Sequence, residues 1–258
     1  MTLTLTVRAE PPARVIAAPL TPERLRGLNA SAVAALRLRC GGETKAVGDL
    51  FEVSGAGTEE EVLALAGDLR RFDGIGARMS SGEIVIRGDV GDWAGAEMSG
   101  GVVRIFGDAG ARLGAAYPGA RAGMTGGEIV VSGDAGEEAG AGMRRGLIAV
   151  GGETRAGAGL RMLAGTVIAL GGVGAEAGLG NKRGSLVSGR PVDPLPAYAF
   201  ATRFAPPALR LQLLRIRELG LTVDDALLRG AWARWSGDRT ELGRGEILIF
   251  DEEEARGG

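Results

Sequence analysis

The chain has 258 residues, of which 45% are hydrophobic and 24% charged, and its 30 Lys and Arg nearly balance its 32 Asp and Glu. This composition can bury a substantial core, and a formal charge of −2 gives no electrostatic reason to expect nucleic acid or an anionic membrane as a partner. With no histidine and one cysteine, the chain excludes an internal disulfide and a self-contained iron–sulfur or Cys/His zinc site.

The first ten residues alternate Thr with Leu or Val and lack the basic-then-apolar order of a signal peptide. No apolar run approaches the roughly 18 residues of a membrane helix. We therefore expect a cytoplasmic protein without a membrane segment. Cys40 is expected as a small buried hydrophobic residue, because no histidine is available to activate it as a nucleophile.

Residues 1–66 are predicted to form an N-terminal cap with the first strands. Thr21-Pro22-Glu23 is typical of a helix start, since proline is favoured in the first helical turn. Residues 36–40 and 50–53 have the apolar alternation of strands.

Residues 67–189 contain a glycine-punctuated repeat. Each unit starts on a Gly-Asp or Gly-Gly-Glu step, and the starts lie at Gly67, Gly88, Gly107, Gly133, Gly152 and Gly172. The spacings between successive starts are 21, 19, 26, 19 and 20 residues. Reuse of one unit at a near-constant period predicts a repeat architecture.

Each unit ends in a short segment of period two, which predicts one strand per unit. The alternating pairs are Ile84/Ile86, Val103/Ile105, Ile129/Val131, Ile148/Val150 and, after an assumed one-residue insertion, Ile168/Leu170. An apolar residue before each strand is expected to form an internal ladder: Met79, Met98, Met124, Met143 and Leu160.

A lone strand cannot bury its apolar face, but parallel stacking on the neighbouring units at about 4.8 Å can. The sequence therefore predicts an all-β dominated fold, a single-stack parallel β-helix of about six Gly-rich coils with small α/β caps at both ends. Right-handed parallel crossovers are strongly preferred, so a right-handed coil is expected.

Two other interpretations of the repeat are less favoured. A phosphate-binding loop is disfavoured because no glycine run leads into a helix or carries a Gly-Lys-Ser/Thr step. A ladder of metal ligands could be drawn from four aspartates, but Asp beside Gly is ordinary turn chemistry. Those aspartates are Asp68, Asp89, Asp108 and Asp134.

Residues 190–258 are predicted to be a C-terminal extension with one helix and strands. Proline at the start and glycine at the end favour a helix between Pro206 and Gly220, although alternating leucines leave a strand possible there. Residues 231–235 and 246–250 have the pattern of strands.

Four segments in this order resemble the C subunits of formylmethanofuran dehydrogenase and of the bacterial formyltransferase/hydrolase complex, relatives of the glutamate synthase C-terminal β-helix domain. They are Gly48-Asp-Leu-Phe-Glu-Val-Ser-Gly55, Ile75-Gly-Ala-Arg-Met79, Tyr117-Pro-Gly-Ala-Arg121 before Gly123-Met124, and Gly237-Asp with Glu241-Leu-Gly-Arg-Gly-Glu-Ile247. The resemblance implies a β-helical scaffold subunit without catalytic or metal-binding residues of its own.

The same resemblance implies partners and cofactors. The chemistry would lie on hydrolase-like A and B subunits and a formyltransferase D subunit, and the complex would use a methanofuran-type carrier and tetrahydromethanopterin, with none bound by this chain alone. The tungsten or molybdenum formylmethanofuran dehydrogenase remains an alternative. We favour the bacterial complex because only two of the 30 basic residues are lysines, Lys45 and Lys182, which is typical of a GC-rich genome.

Two function classes outside these complexes remain. An independent enzyme with carboxylate pairs on a β-helix is disfavoured by an aromatic content of 4% and by the lack of a carboxylate cluster. A free-standing glutamate synthase-like domain is disfavoured by the segment at residues 237–247.

The 26-residue spacing adds about seven residues, which form a loop at residues 115–121. An insertion in one coil projects outward, so Tyr117, Pro118, Gly119 and Arg121 are the first choice for a partner contact; a tolerated surface excursion is the alternative.

A second candidate site is a basic stripe, in which Arg144, Arg145, Lys182 and Arg183, together with Arg155 and Arg161, would stack in successive coils. Such a stripe could guide an acidic cofactor tail or dock an acidic partner, but isolated arginines on a repeat protein are usually only solvated.

Overall fold

The computed structural model describes residues 2–56 and 61–251. The fold is strand-rich, with short helices at both ends of the chain. The N-terminal elements are β1 (Leu3–Val7), β2 (Val15–Ile16), α1 (Pro22–Leu25), α2 (Ala30–Ala35), β3 (Arg37–Cys40), β4 (Glu43–Ala46), α3 (Val47–Leu50), β5 (Phe51–Ser54) and β6 (Val62–Ala66). The strands predicted at residues 36–40 and 50–53, and the helix start at Pro22, are confirmed.

The Gly-rich region contains only strands. They are β7 (Phe72–Asp73), β8 (Glu83–Arg87), β9 (Val102–Ile105), β10 (Glu128–Val131), β11 (Leu147–Val150), β12 (Glu153–Thr154), β13 (Thr166–Ala169), β14 (Gly172–Val173) and β15 (Ser185–Ser188). The C-terminal elements are β16 (Ala199–Phe204), α4 (Pro207–Glu218), α5 (Asp225–Arg229), β17 (Trp232–Gly237) and β18 (Gly245–Phe250). The predicted helix and both predicted C-terminal strands are confirmed, whereas α5 and β16 have no counterpart in the prediction.

A large mixed sheet dominates the molecule. Its 12 strands lie in the order β16-β17-β18-β15-β13-β11-β10-β9-β8-β6-β1-β5. Neighbouring strands pair in parallel through the middle of this sheet, from β18 through β15 and β8 to β1. At the two ends of the sheet the pairing is antiparallel, for β5 at one end and for β17 and β16 at the other. Two smaller sheets, β4-β3-β2-β7 and β12-β14, complete the strand pairing.

The register places equivalent residues of successive units side by side. Ile84 pairs with Val103, Val103 with Ile129, and Ile129 with Ile148, so the inserted loop in one unit does not change the alignment of the strands. The inward column is fully buried and consists of Ile84, Val103, Ile129, Ile148, Val167 and Leu186. Each strand therefore buries its inner face between the units before and after it.

Two sequence assignments in the fifth unit are wrong. Val167 and Ala169, not Ile168 and Leu170, pair with the inward residues of β11. The assumed insertion does not exist, because Gly171 rather than Gly172 starts the next unit. The Gly171 N–H donates at 2.8 Å to the carbonyl of Gly152, which starts the unit before.

The methionine ladder is shifted in the same unit. Leu160 is only partly buried, and Met162, one unit after Met143, is the fully buried member. The earlier members Met79, Met98, Met124 and Met143 are confirmed as fully buried. Asn181 takes the following position and is also fully buried.

The aspartates after the strands serve the turns, as their sequence context predicts. The Oδ1 atoms of Asp89, Asp108 and Asp134 each accept a hydrogen bond, at 2.8–2.9 Å, from the backbone N–H one unit further along. Asp68 instead accepts from the Arg70 backbone and guanidinium, and this interaction lowers its pKa to about 2. The carboxylates thus satisfy donors that the turns would otherwise leave unpaired.

A second apolar cluster lies on the outer face of the sheet. Leu209, Leu213 and Ile216, at helical spacing on α4, pack with Ile168 of β13 and Trp232 of β17. Because this face is covered, all four residues of β13 are buried. The sheet therefore has a core on each side in its C-terminal half.

Candidate interaction surface

The inserted loop folds back onto the repeat. The ring of Tyr117 stacks on Trp93 with centroids 4.7 Å apart and an interplanar angle of 20°. The Tyr117 backbone N–H donates to Glu97 at 3.1 Å. Tyr117 is therefore half-buried, whereas Pro118, Gly119 and Arg121 lie at the more exposed loop tip.

Arginines extend this aromatic stack on both sides. The guanidinium of Arg112 lies 5.1 Å from the Trp93 ring centroid, and that of Arg78 lies 5.5 Å from the Tyr117 ring. Arg78 donates to Glu97 at 2.8 Å, and this bond raises the pKa of the guanidinium. Burial raises the pKa of the Tyr117 hydroxyl. The loop thus rests on a layer of charged and aromatic side chains.

The residues that support the loop were not predicted from the sequence. Trp93, Arg112 and Glu97 have φ of 64°, 62° and 55°, in the left-handed region that disfavours side chains. Trp93 and Arg112 occupy the column that Gly74 and Gly157 occupy in other units, all with positive φ. The sequence offered no specific signal for them, because Glu138 and Glu176 hold the same column with φ of 59° and 58°.

Four of the basic residues form two pairs at one corner of the repeat, and all but the half-buried Lys182 are exposed. Arg144 and Arg145 lie two units before Lys182 and Arg183. In the unit between them, the equivalent positions are occupied by the uncharged Leu163 and Ala164. Lys182 lies 3.4 Å from Glu241, which partly neutralises it. Arg155 and Arg161 lie at other turns of their unit, so the structure brings together two pairs, separated by an uncharged step.

A buried polar network closes the last unit of the repeat. Asp238 is fully buried; its Oδ2 accepts from the Gly180 N–H at 3.0 Å, and its Oδ1 accepts from the backbone and hydroxyl of Thr240 at 2.8 and 2.7 Å. The Asn181 side chain exchanges two hydrogen bonds with the Gly184 backbone. Tyr198 donates to the Gly178 carbonyl at 2.8 Å, and burial raises its pKa to about 12.

The remaining candidate chemistry concerns the carboxylates and the single cysteine. Within residues 2–56 and 61–251, no group of three or more Asp, Glu or Cys side chains is placed to hold a metal ion. Cys40 is buried as predicted, with its sulfur 3.5 Å from the Ala13 carbonyl oxygen. In the same part of the chain, no helix has both the length and the apolar character needed to cross a membrane.

Known proteins resemble the chain in part of its sequence and over nearly all of its fold. The Fhc C subunit of the formyltransferase/hydrolase complex of Methylorubrum extorquens is 35% identical over 88 residues, which is 34% of this chain and 32% of that protein. The C subunit of molybdenum-containing formylmethanofuran dehydrogenase 1 of Methanothermobacter marburgensis is 32% identical over 72 residues, 28% of this chain and 18% of that protein. No protein-family model matches.

A solved structure extends the match to 95% of the chain. In the crystal structure of the M. extorquens formyltransferase/hydrolase complex FhcABCD with methylofuran, one chain matches with a TM-score of 0.81 and 32% identity over 95% of this chain and 98% of that one. The chain belongs to the C-subunit family of these complexes. In this C-subunit family member, the segment at residues 237–247, one of those that carry the resemblance, supplies Asp238 to the buried network.

The network leads us to expect that the stability of this C-subunit family member depends on pH. Burial alone would raise the pKa of Asp238, but the hydrogen bonds from Thr240 and Gly180 outweigh it, so the pKa lies below its ordinary value. Its stabilising contribution is therefore present above the unfolded-state pKa of about 3.9 and is lost as the pH falls through the lower folded-state value. Asp238→Asn should lower the free energy of unfolding at pH 7 by about 1–3 kcal/mol, because an amide N–H₂ would face a backbone donor.

Urea unfolding at pH 7 and at about pH 3 measures both effects. The difference between the wild type and Asp238→Asn should shrink at the lower pH. Asp193→Asn, at a carboxylate outside the network, is the matched control and should change stability little. A pH-independent difference would show that the ionised carboxylate is not what stabilises the network.

Proposed function

We propose that this chain is the non-catalytic scaffold subunit of a cytoplasmic formyltransferase/hydrolase complex in one-carbon metabolism. The complex would take formyl from formyl-tetrahydromethanopterin to a methanofuran-type carrier and release formate. The observation that carries the proposal is the match at 32% identity over 95% of the chain to a component of FhcABCD, whose structure contains methylofuran. The chain spans a third or less of the length of the curated relatives that it matches in sequence.

The scaffold role rests on a proposed architecture. We propose that the stacked units form a single-stack parallel β-helix, right-handed and about six coils long. Two observations support it: the parallel main ladder from β6 to β15, and a second parallel ladder of single bridges that runs through Leu69, Val90, Ala109, Ala135 and Thr154. Such a coil is rigid because every unit is hydrogen-bonded to the next on more than one side.

We propose that the A, B and D subunits are the partners and that they carry the chemistry and the carriers. The loop tip at Pro118, Gly119 and Arg121, together with the half-buried Tyr117 beneath it, is proposed as a contact with one of them. The pairs Arg144/Arg145 and Lys182/Arg183 are proposed as a second, electrostatic contribution to the same assembly or to guiding an acidic carrier tail.

Purification of the tagged chain from its native source tests the proposed function. We expect it to co-purify in fixed proportion with A, B and D subunits, measured by mass spectrometry and native mass. The isolated chain should have no formyl-transferring or formate-releasing activity, and the assembled complex should have both. A solitary and active 26.4 kDa species would contradict the proposal.

A second candidate is the C subunit of a molybdenum- or tungsten-containing formylmethanofuran dehydrogenase. The 32% identity to the M. marburgensis protein favours it as the alternative. Molybdenum or tungsten bound stoichiometrically in the purified complex would decide for the dehydrogenase. A free-standing glutamate synthase-like domain would instead purify without A, B and D subunits.

A further inference from the structure

A groove of about 310 Å³ opens between the inserted loop and the units that follow it. Ala116, Ala141 and Gly142 contribute small residues to its lining, and Leu160 and Leu163 supply larger apolar side chains. Small residues allow another chain to approach the backbone closely, and the leucines offer it apolar area. The lining therefore offers a polypeptide segment both close backbone approach and apolar contact.

Two arginines line this groove. Arg121 comes from the inserted loop and Arg161 from the basic set, so the structure joins two regions that the sequence-based prediction kept separate. No carboxylate lines the groove among the described residues. Arg144 and Arg145, exposed just beyond Gly142, add positive charge beside it.

Both groove arginines have side chains without a partner within the described part of the chain. In residues 2–56 and 61–251, neither Arg121 nor Arg161 makes a side-chain hydrogen bond or an ion pair. Arg78 and Arg112, on the same side of the inserted loop's base, are paired with Glu97 and Glu138 at 2.8 and 2.9 Å. The positive charge of the groove is thus left without a counter-charge from these residues.

We propose that this groove docks an acidic segment of one of the other subunits, with its carboxylates bound by Arg121 and Arg161 and its small apolar side chains on the alanine and leucine lining. The proposal rests on the proposed function, since it requires the A, B and D assembly. A guanidinium presents two parallel N–H donors to a carboxylate, so the two arginines fix the position of a segment as well as attract it. A free inorganic anion would leave the leucines uncovered.

The test uses the full chain assembled with its A, B and D subunits. Arg121→Glu, Arg161→Glu and the double variant are compared with the wild type by titrating the chain into the ABD subcomplex and measuring affinity. Each single charge reversal should weaken association about tenfold or more, and the double variant further. The affinity of the wild type should also fall as the salt concentration rises. The affinity of the double variant should depend less on salt.

Controls separate docking from folding. Arg39→Glu, at an exposed arginine of β3, should leave the affinity unchanged. Arg121→Gln and Arg161→Gln remove the charge without repulsion and should give intermediate losses, and all variants should keep the wild-type thermal unfolding midpoint.

The outcomes distinguish the two proposals. If the wild type does not join the ABD subunits, the proposed function fails. If it joins them and the Glu variants bind within twofold of it, the groove proposal alone is overturned. If the variants assemble normally but turnover with the carrier falls, the arginines serve the carrier and the docking proposal is likewise overturned.

Discussion

Gly88→Val is expected to lower the free energy of unfolding by about 3–5 kcal/mol, because it combines overpacking with backbone strain. Gly88 has a φ of +141°, and a Cβ at this position would overlap the carbonyl oxygen of Gly67 in the preceding unit. That carbonyl belongs to the backbone, so no side-chain rotation relieves the overlap. The two units must separate, which breaks the parallel pairing on both sides of the turn.

Gly42→Val is the matched control for this substitution. Gly42 also lies at a turn between strands, but a Cβ there would meet no atom within 4 Å and its φ is not positive. Its effect on urea unfolding should stay within about 0.5 kcal/mol. Equal losses at the two positions would mean that loss of glycine, and not contact between units, determines the stability.

Trp232→Ala should cost about 3–5 kcal/mol, the usual range for removing a large buried aromatic side chain. Trp232 is 1% exposed and packs edge-on against Phe250, with ring centroids 5.3 Å apart. It belongs to the cluster that holds α4 against the outer face of the sheet. Loss of the indole should therefore release α4 and expose apolar residues of β11 and β13.

Two measurements separate this effect from a general loss of packing. Binding of a hydrophobic dye should rise for Trp232→Ala under conditions where far-ultraviolet circular dichroism is unchanged. Trp235→Ala removes the same side chain from a partly exposed position beside Phe200, with ring centroids 5.8 Å apart, and should cost clearly less without increasing dye binding. Dye binding that rises equally in both variants would argue against release of α4.

The repeat could be predicted from the sequence because the patterns that identify it lie within one unit or between adjacent units. Alternation such as Val103/Ile105 identifies a strand within one unit, and the spacing between units identifies its neighbours. The phase of the fifth unit could not be predicted, because Gly171 and Gly172 are both glycines and either can start the next unit. The backbone hydrogen bond from Gly171 to Gly152 decides for Gly171.

Features that depend on distant contacts were missed for a different reason. Tyr117 was expected to project outward, and nothing near it in sequence shows that Trp93 lies one unit away to receive its ring. In the candidate groove, Arg121 and Arg161 are far apart in the sequence, and only the stacking of units places them together.

The antiparallel turn at the C-terminal end of the large sheet has a consequence for self-association. The number of strands in a parallel stack is not limited by the pairing itself. Its last strand still has an unpaired edge, which can accept a further strand in the same way as every earlier strand did. Here β18 takes the place of a next unit, and β17 and β16 then reverse direction, ending in a strand with an irregular register between Phe200 and Thr202. Such irregularity discourages further pairing, so we expect this end of the sheet to resist edge-to-edge joining with another copy.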